Sequence, residues 1–186
     1  MPCTLGSGKV VACFDVEARL VVRECGERDV DALERQLPTG LNHYHAARYR
    51  RQCEGFSTFL VAYRGEVVVG SGEILWQGAK EPEVRERFPD CPEINGLAVV
   101  PDHQSQGVGT AIIRAAEELA ARRGAQRIGM GVGGDNDRAE ALYLRLGYAD
   151  TGCRYLDRYQ NVDAAGKRHD IADPCRFLVK PLTPAR

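Results

Sequence analysis

The residues with the clearest potential for chemistry form a short segment that contains two glycines, Gln104-Ser105-Gln106-Gly107-Val108-Gly109-Thr110. An apolar run at residues 94–100 precedes the segment, and an apolar pattern with helical spacing follows it. The sequence therefore predicts a strand, a turn and the N-terminus of a helix. Glycine lets a ligand approach the backbone closely, and the first N–H groups of a helix have no partner within the helix. Such N–H groups, aided by the helix dipole, can bind a phosphate group.

Two common phosphate-binding motifs do not match this segment. A Walker A loop requires a lysine directly after its last glycine, but Thr110 follows Gly109. A dinucleotide-binding fingerprint requires Gly or Ala three residues after its second glycine, where this chain has Ile112. The segment does match the pattern Gln/Arg-x-x-Gly-x-Gly/Ala, which begins at Gln104.

A second segment, residues 136–148, contains the pattern Asn-x-x-Ala-x-x-Leu-Tyr-x-x-x-Gly-Tyr. It follows the first segment at an interval of one predicted helix and one predicted strand. The two patterns in this order resemble the GNAT N-acetyltransferase superfamily, over residues 93–148. The resemblance implies the GNAT fold, an α/β (α+β) architecture. Its central sheet is mixed but mostly antiparallel, with six to seven strands and about four flanking helices, and a splayed parallel strand pair forms the acyl-CoA cleft.

The resemblance implies direct transfer of an acetyl group from acetyl-CoA to a primary amine in a ternary complex, with no metal. It implies that Tyr143 is the acid that protonates the departing thiolate, although a buried tyrosine on an amphipathic helix is a common core residue. It also implies that Glu93 is the base. Glu93 lies in an otherwise apolar run, where partial burial would raise its pKa, but it could equally be a solvated strand end. Glu73 and a water relay are the alternatives.

The same resemblance implies which residues bind acetyl-CoA. The strand residues 97–99 would offer backbone groups to the pantetheine arm, as an added strand does, and the glycine segment would bind the pyrophosphate. Asn136 would contact the cofactor arm, act as a helix N-cap, or do both. The expected cofactor-binding residues are Leu97, Ala98, Val99, Gln104, Ser105, Gln106, Gly107, Val108, Gly109, Thr110, Asn136 and Tyr143.

The acceptor amine is less well defined by the sequence. A polar, proline-containing insertion at residues 77–92 is interpreted as a pocket lid, and we expect Tyr44, Glu73 and Trp76 to contact the acceptor. A compact domain with this insertion, and with Trp76 near the cleft, favours a small molecule such as an amino acid derivative, a polyamine or an amine antibiotic. The alternatives are a protein N-terminal or lysine acetyltransferase and a non-catalytic acyl-CoA-binding regulator.

Composition limits the other functional classes. The chain has 186 residues, 44% of them hydrophobic, and we expect one domain at residues 20–182 after an extension at residues 1–19. A net charge of −1 gives no electrostatic reason to expect nucleic acid or membrane partners. The seven cysteines are dispersed without a Cys-x-x-Cys pair, and no signal peptide is recognisable, which predicts reduced thiols in a cytoplasm and no metal site. GNAT proteins often form homodimers, but no stretch identifies an interface.

Hydrophobic periodicity predicts the elements that must position these residues. Asp29 is expected to cap a first helix that ends near Leu37, and residues 161–174 are expected to form a loop between the last two strands. A regular strand would place Glu93, Leu97 and Val99 on one face, whereas a bulge would break that pattern. The predicted strands are residues 20–25, 58–63, 67–76, 93–100, 127–132, 154–159 and 176–179, and the other predicted helices are residues 43–53, 83–88, 108–123 and 138–146.

Overall fold

The computed structural model describes residues 19–183, so the predicted N-terminal extension lies outside the described residues except for Arg19. In this part of the chain no helix is long and apolar enough to cross a membrane. The strands are β1 Leu20–Glu24, β2 Ser57–Arg64, β3 Val67–Leu75, β4 Glu93–Val99, β5 Arg127–Gly133, β6 Ala149–Val162 and β7 Arg168–Pro181. The helices are α1 Glu27–Gln36, α2 Tyr44–Cys53, α3 Pro82–Arg87, α4 Val108–Arg122 and α5 Asp137–Arg145.

The seven strands form one mixed sheet in the order β1-β2-β3-β4-β5-β7-β6. Neighbouring strands are antiparallel except for β4 and β5, which are parallel. The predicted mixed α/β architecture is therefore confirmed. The five α-helices of the described residues correspond to the five predicted from hydrophobic periodicity, and the short helix α3 in the insertion adds to the approximately four that the resemblance implies.

The parallel pair β4 and β5 separates almost as soon as it forms. The two strands pair only at Glu93 with Gly129 and at Ile94 with Met130. Directly after this point Gly96 has a positive φ of 58°, and the pairing of β4 with β3 shifts register. Beyond the second pair, the side of β4 that faces β5 has no strand partner among the described residues. The sheet therefore opens into a cleft between these two strands.

The irregularity at Gly96 also changes which side chains face the core. Leu97 and Val99 pack with Ile94 against the main hydrophobic cluster beneath helix α4. Regular alternation would have placed Leu97 on the opposite face, with Glu93. Helix α4 can lie close to the sheet because β3 contributes glycine there. A Cβ atom added at Gly70 would lie only 3.0–3.1 Å from side-chain atoms of this helix.

The last two strands form a much longer hairpin than the sequence predicts. Strands β6 and β7 each have 14 residues, and they include most of the region predicted as a loop at residues 161–174. The outer part of this hairpin is polar on both faces, so it lacks the apolar alternation that identifies a strand. It is held by cross-strand polar pairs, such as Gln160 with Asp170 at 3.0 Å, and by two hydrogen bonds of 2.8 and 3.1 Å between Asn42 and the backbone of Val162.

The first helix begins earlier than predicted, and Asp29 does not cap it. Gly26 is the N-cap, and Asp29 occupies the third helical position, where it accepts the Gly26 N–H at 2.6 Å. Asp29 also accepts both arms of the Arg23 guanidinium at 2.6 and 2.8 Å and the Tyr63 hydroxyl at 2.6 Å. Burial would raise the pKa of Asp29, but these hydrogen bonds lower it to about 2. One buried carboxylate thus joins α1 to strands β1 and β2.

Asp29→Asn should lower the free energy of unfolding at pH 7 by about 2 kcal/mol, because the amide loses its charged bond to Arg23. The folded-state pKa lies below the ordinary value of 3.8, so the stabilisation is present above pH 3.8 and is lost as the pH falls toward 2. Urea denaturation at several pH values measures this, with the exposed Asp31→Asn as control. Equal stabilities of the two variants at pH 7 would contradict the role of Asp29.

Candidate functional site

The cleft between β4 and β5 widens into a cavity of about 1080 Å³. Its walls come from β3, the separated ends of β4 and β5, helix α2, the insertion after β3, and the β6–β7 hairpin. The structure thus brings together residues that are far apart in the sequence. The predicted site residues that line the cavity are Tyr44, Glu73, Glu93, Leu97, Asn136 and Tyr143.

Glu93 is a buried carboxyl group at the closed end of the cleft, with only 2% of its surface exposed. Burial raises the pKa of Glu93 to about 8, and the nearby Glu81 carboxylate contributes to the rise. A group with this pKa can take up and release a proton near neutral pH, which suits a general base. Tyr155 of β6 lies beside it, since a Cβ atom added at Gly131 would touch the Tyr155 hydroxyl and lie 3.8 Å from Glu93 Oε1.

Glu73 is also buried, but its surroundings differ from those of Glu93. The Arg51 guanidinium donates two hydrogen bonds to its two oxygens, at 2.9 and 2.7 Å, and the Arg48 Nε lies 3.7 Å away. Both oxygens of Glu73 are therefore already engaged in charge-assisted hydrogen bonds within the protein. The geometry therefore favours Glu93 over Glu73 as the base.

Tyr143 lies on helix α5 and is 7% exposed, with its ring 6.3 Å from that of Tyr148. Burial raises the pKa of Tyr143, so its hydroxyl stays protonated at neutral pH and can donate a proton. The helix begins at Asn136, whose Oδ1 accepts the Ala139 N–H at 3.1 Å. The N-cap role of Asn136 is thus present, and the same residue lies on the cavity wall.

The glycine segment forms the turn into helix α4, as predicted. Gly107 is the N-cap with a φ of 82°, and no side chain caps the first N–H groups of the helix. A Cβ atom added at Gly107 would meet no described atom within 4 Å, so the space outside this turn is open. Arg138 of α5 donates hydrogen bonds to Gln104 Oε1 at 2.9 Å and to Ser105 Oγ at 2.8 Å. The turn therefore combines free backbone donors with a nearby guanidinium, which suits an anion.

The backbone between the cavity and this turn belongs to Ala98 and Val99. Neither residue lines the cavity, and the Val99 side chain packs against the core. The Val99 carbonyl accepts a hydrogen bond from the Gln104 side chain at 3.3 Å, which ties the end of β4 to the turn. A ligand that reached from the turn to the cavity would therefore follow this strand.

Trp76 is not part of the cavity wall, contrary to the expectation from the sequence. Alternation along β3 places Trp76 on the side of Ile74, opposite Glu73, where it packs against the main core. Its Nε1 donates to Thr58 Oγ1 at 3.1 Å, and the Arg123 guanidinium covers its ring at 3.8 Å. These contacts give Trp76 a packing role at the end of helix α4.

Several residues of this region were not identified from the sequence. Arg48 and Arg51 follow Tyr44 at helical spacing on α2, and this shared face was a signal that could have revealed them. Arg138 lies inside the second pattern, at a position that the pattern leaves undefined. Tyr155 had no local signal, because its position beside Glu93 depends on the pairing of distant strands.

Comparison with known proteins gives consistent matches. The model of the acetyltransferase (GNAT) family matches residues 28–148. An uncharacterized N-acetyltransferase of Methanocaldococcus jannaschii is 40% identical over 61 residues, which cover 33% of this chain and 27% of that protein. N-alpha-acetyltransferase 30 of Schizosaccharomyces pombe is 36% identical over 64 residues, 34% of this chain and 40% of that protein. This chain therefore spans less than half the length of these two relatives.

A solved structure shares the fold at low sequence identity. The yncA protein of Salmonella typhimurium, solved with its cofactor acetyl-CoA, superimposes with a TM-score of 0.61 at 18% identity, covering 89% of this chain and 95% of that one. The family model covers well over half of the chain, and the sheet has the splayed parallel pair implied by the resemblance. The protein therefore belongs to the acetyltransferase (GNAT) family.

Proposed function

We propose that the protein is an N-acetyltransferase that moves an acetyl group from acetyl-CoA to the primary amine of a small molecule, by direct attack in a ternary complex. The observation that carries the proposal is the presence of Glu93 and Tyr143 on the wall of one cavity, at the point where β4 and β5 separate. One is a buried carboxyl group with a pKa of about 8, and the other is a buried, protonated phenol. They are a base and an acid with suitable proton affinities.

The described residues fit acetyl-CoA as a co-substrate. The turn at Gly107 offers backbone N–H groups and open space for the pyrophosphate, with Arg138 beside it. The unpaired side of β4 offers peptide groups to the amides of the pantetheine arm, from Leu97 to Val99. Acetyl-CoA, when bound, supplies the acetyl group as a thioester whose C–S bond breaks as the new N–C bond forms.

A protonated amine loses two protons on becoming an amide, and the departing sulfur gains one. Most amines are protonated at neutral pH, and Glu93 would take that proton directly or through a water molecule. The departing sulfur needs a proton, which the Tyr143 hydroxyl would donate. The second proton released by the nitrogen would replace the one that Tyr143 gives to the sulfur, so the net release is one proton. The backbone N–H of Leu97 lies at the irregular part of β4 and would polarise the thioester carbonyl.

The cavity rim supports a small acceptor over a protein substrate. Asn42 and Tyr44 hydrogen-bond to the backbone of the β6–β7 hairpin, at Val162 and Gln160. Lys80 of the insertion donates to the Arg158 carbonyl of the same hairpin at 2.9 Å. These bonds join helix α2 and the insertion, which line the cavity through Tyr44 and Lys80, to the hairpin, and a wall held together in this way favours a small acceptor. The sequence match to a protein named N-alpha-acetyltransferase 30 keeps a protein N-terminus as the second candidate.

A release assay for free CoA thiol with a panel of acceptors tests this proposal. The panel contains amino acids, polyamines, amine antibiotics and peptides with free N-termini or lysines. Turnover with a small amine supports the proposal, whereas turnover only with peptides would replace the small acceptor by a protein. Binding of acetyl-CoA without thiol release from any acceptor would indicate a non-catalytic regulator.

Tyr143→Phe should lower kcat by about a hundredfold and leave acetyl-CoA affinity nearly unchanged, because only the acidic proton is removed. Steady-state kinetics and calorimetry measure the two effects. The neighbouring Tyr148→Phe is the matched control, since Tyr148 is buried 6.3 Å away and does not line the cavity. Unchanged turnover in Tyr143→Phe would remove this residue from the mechanism.

Gly107→Glu should weaken acetyl-CoA binding by at least about a hundredfold, because its carboxylate would occupy phosphate space and repel the ligand's charge. Gly124→Glu is a close control, since Gly124 has the same φ of 82° and the same open surroundings at the other end of α4. Backbone strain is therefore similar in the two variants. Calorimetry that gives equal acetyl-CoA affinities for Gly107→Glu and Gly124→Glu would argue against the phosphate site. A further variant, Gly109→Glu, should behave like Gly107→Glu.

Glu93→Gln should remove the pH dependence that the carboxyl group imposes on turnover. In the wild type, kcat should rise as the pH passes about 8, because Glu93 acts only when ionised. In the variant, kcat at pH 7 should fall by about a hundredfold and recover in part at high pH, where more of the amine is neutral. Overlapping profiles of the two proteins would disprove the role of Glu93, and the exposed Glu83→Gln serves as control.

A stability measurement separates this effect from misfolding. The pKa of Glu93 is raised from 4.5 to about 8, so the folded state holds the proton more tightly and the wild type loses stability as the pH rises between these values. Glu93→Gln lacks this loss and should melt at a higher temperature than the wild type at pH 8. If Glu93→Gln is slower but melts at a higher temperature, unfolding does not explain its lower activity.

A further inference from the structure

The cavity wall contains a mostly buried cation, Arg48, that the proposed chemistry does not use. Arg48 of α2 lines the cavity, and only 15% of its side chain is exposed. Its guanidinium lies against the backbone of Gly96, where a Cβ atom would come within 2.7 Å of Arg48 Cζ. Arg48 therefore occupies the space above the irregular part of β4, directly beside the cleft.

The protein provides little compensation for this charge. The closest carboxylate is Glu73, whose Oε2 lies 3.7 Å from Arg48 Nε, and both Glu73 oxygens already accept hydrogen bonds from Arg51. Among residues 19–183 the Arg48 guanidinium donates no hydrogen bond. The rings of Tyr44 and Phe59 lie 6.0 Å from its Cζ, and Glu34 is a second, weaker source of negative charge. Two guanidinium groups thus face one carboxylate. Removing a cation from water is costly unless an anion pairs with it, so this position suits an anionic ligand group.

The position of Arg48 relative to Glu93 limits the size of that ligand. Gly96, against which the Arg48 guanidinium lies, follows Glu93 by three residues on β4. The Cα atoms of Glu93 and Gly96 are therefore separated by about 10 Å along the strand. An amino acid together with one bridging water molecule spans such a distance. The other cations on the cavity wall already have partners: Lys80 is paired with Asp157 at 2.8 Å, Arg85 donates to the carbonyls of Ala79 and Lys80, and Arg51 donates to Glu73. Among the described residues, Arg48 is therefore the cavity cation that is most available to a ligand.

We propose that the acceptor carries a carboxylate close to its reacting amine, as an amino acid does, and that Arg48 binds this carboxylate. The inference rests on the acetyl transfer proposed above and narrows its substrate class. Arg51 shares Glu73 with Arg48 and takes both hydrogen bonds of that carboxylate, so the donors of Arg48 remain available to a ligand. The same positive charge disfavours polyamines and cationic antibiotics, whose additional ammonium groups would be repelled.

The test compares matched acceptors in the thiol-release assay. Each amino acid is measured beside its carboxamide and its decarboxylated amine, so that the carboxylate is the group that is lost. The free acid of the preferred acceptor should have a kcat/KM about tenfold to a hundredfold higher than its amide, as expected for a hydrogen-bonded charge pair. Because amides and acids differ in amine pKa, the comparison is made across pH and at equal concentrations of neutral amine.

Arg48→Gln should remove this preference by raising KM for the acid, with little change in kcat or in KM for the amide. Arg48→Lys should restore part of it, since the charge remains but the two-pronged geometry does not. Arg50→Gln is the control, because Arg50 is exposed on the same helix and does not line the cavity. An equal loss for acid and amide in Arg48→Gln would overturn the assignment. If Arg48→Gln does not fold, the ratio of kcat/KM for the acid to kcat/KM for the amide, measured in the wild type and in Arg48→Lys, decides whether Arg48 binds the carboxylate.

The two proposals can fail separately. Turnover of polyamines, peptides or amides in preference to free acids would leave acetyl transfer intact and overturn the carboxylate site. An absence of thiol release from every acceptor would remove the proposed function. Calorimetry of an amino acid and its amide, with wild type and Arg48→Gln loaded with acetyl-CoA, would then decide the binding question. Equal affinities in that experiment would overturn the carboxylate site as well.

Discussion

The structure depends on the early end of backbone pairing between β4 and β5. Two pairs of residues hold the strands together, and beyond them the peptide groups of β4 have no strand to bind on that side. Buried peptide groups without partners are costly, so this opening is stable only beside water or a ligand. The positive φ of Gly96 gives β4 the local freedom to leave the regular ladder at this point. The cavity, the glycine segment at residues 104–110 and the core beneath α4 are all arranged around this opening.

The two buried glutamates on the cavity wall illustrate how position determines chemistry. Glu73 and Glu93 lie on adjacent strands and have almost no solvent exposure. Arg51 reaches Glu73 from α2 and donates one hydrogen bond to each of its two oxygens. Within residues 19–183 Glu93 has no salt-bridge partner, and burial together with the nearby Glu81 favours its protonated form. The same residue type therefore occupies two different electrostatic environments, and the proposed function assigns the proton transfer to Glu93.

The sequence predicted those parts of the protein that depend on local patterns. The glycine turn, helix α4 and the Asn136 cap follow from short-range spacing and appear as expected. The prediction of a loop at residues 161–174 was wrong, because the strands of the long hairpin are stabilised by cross-strand polar pairs instead of an apolar face. Trp76 was placed on the wrong side, because a single strand does not reveal which face turns toward the cleft. The partners of buried charges, such as Arg51, depend on packing between distant elements.

The contact between Gly96 and Arg48 determines which substitutions the chain can tolerate beside the cleft. The guanidinium fills the space that any side chain at position 96 would need, and the positive φ there already disfavours other residues. A larger residue at position 96 would therefore displace the tip of the Arg48 side chain and hold a strained backbone. A smaller residue at position 48, in contrast, would leave the bend of β4 in place and create an open space beside the cleft. The contents of the pocket can thus change at position 48 without closing the opening in the sheet.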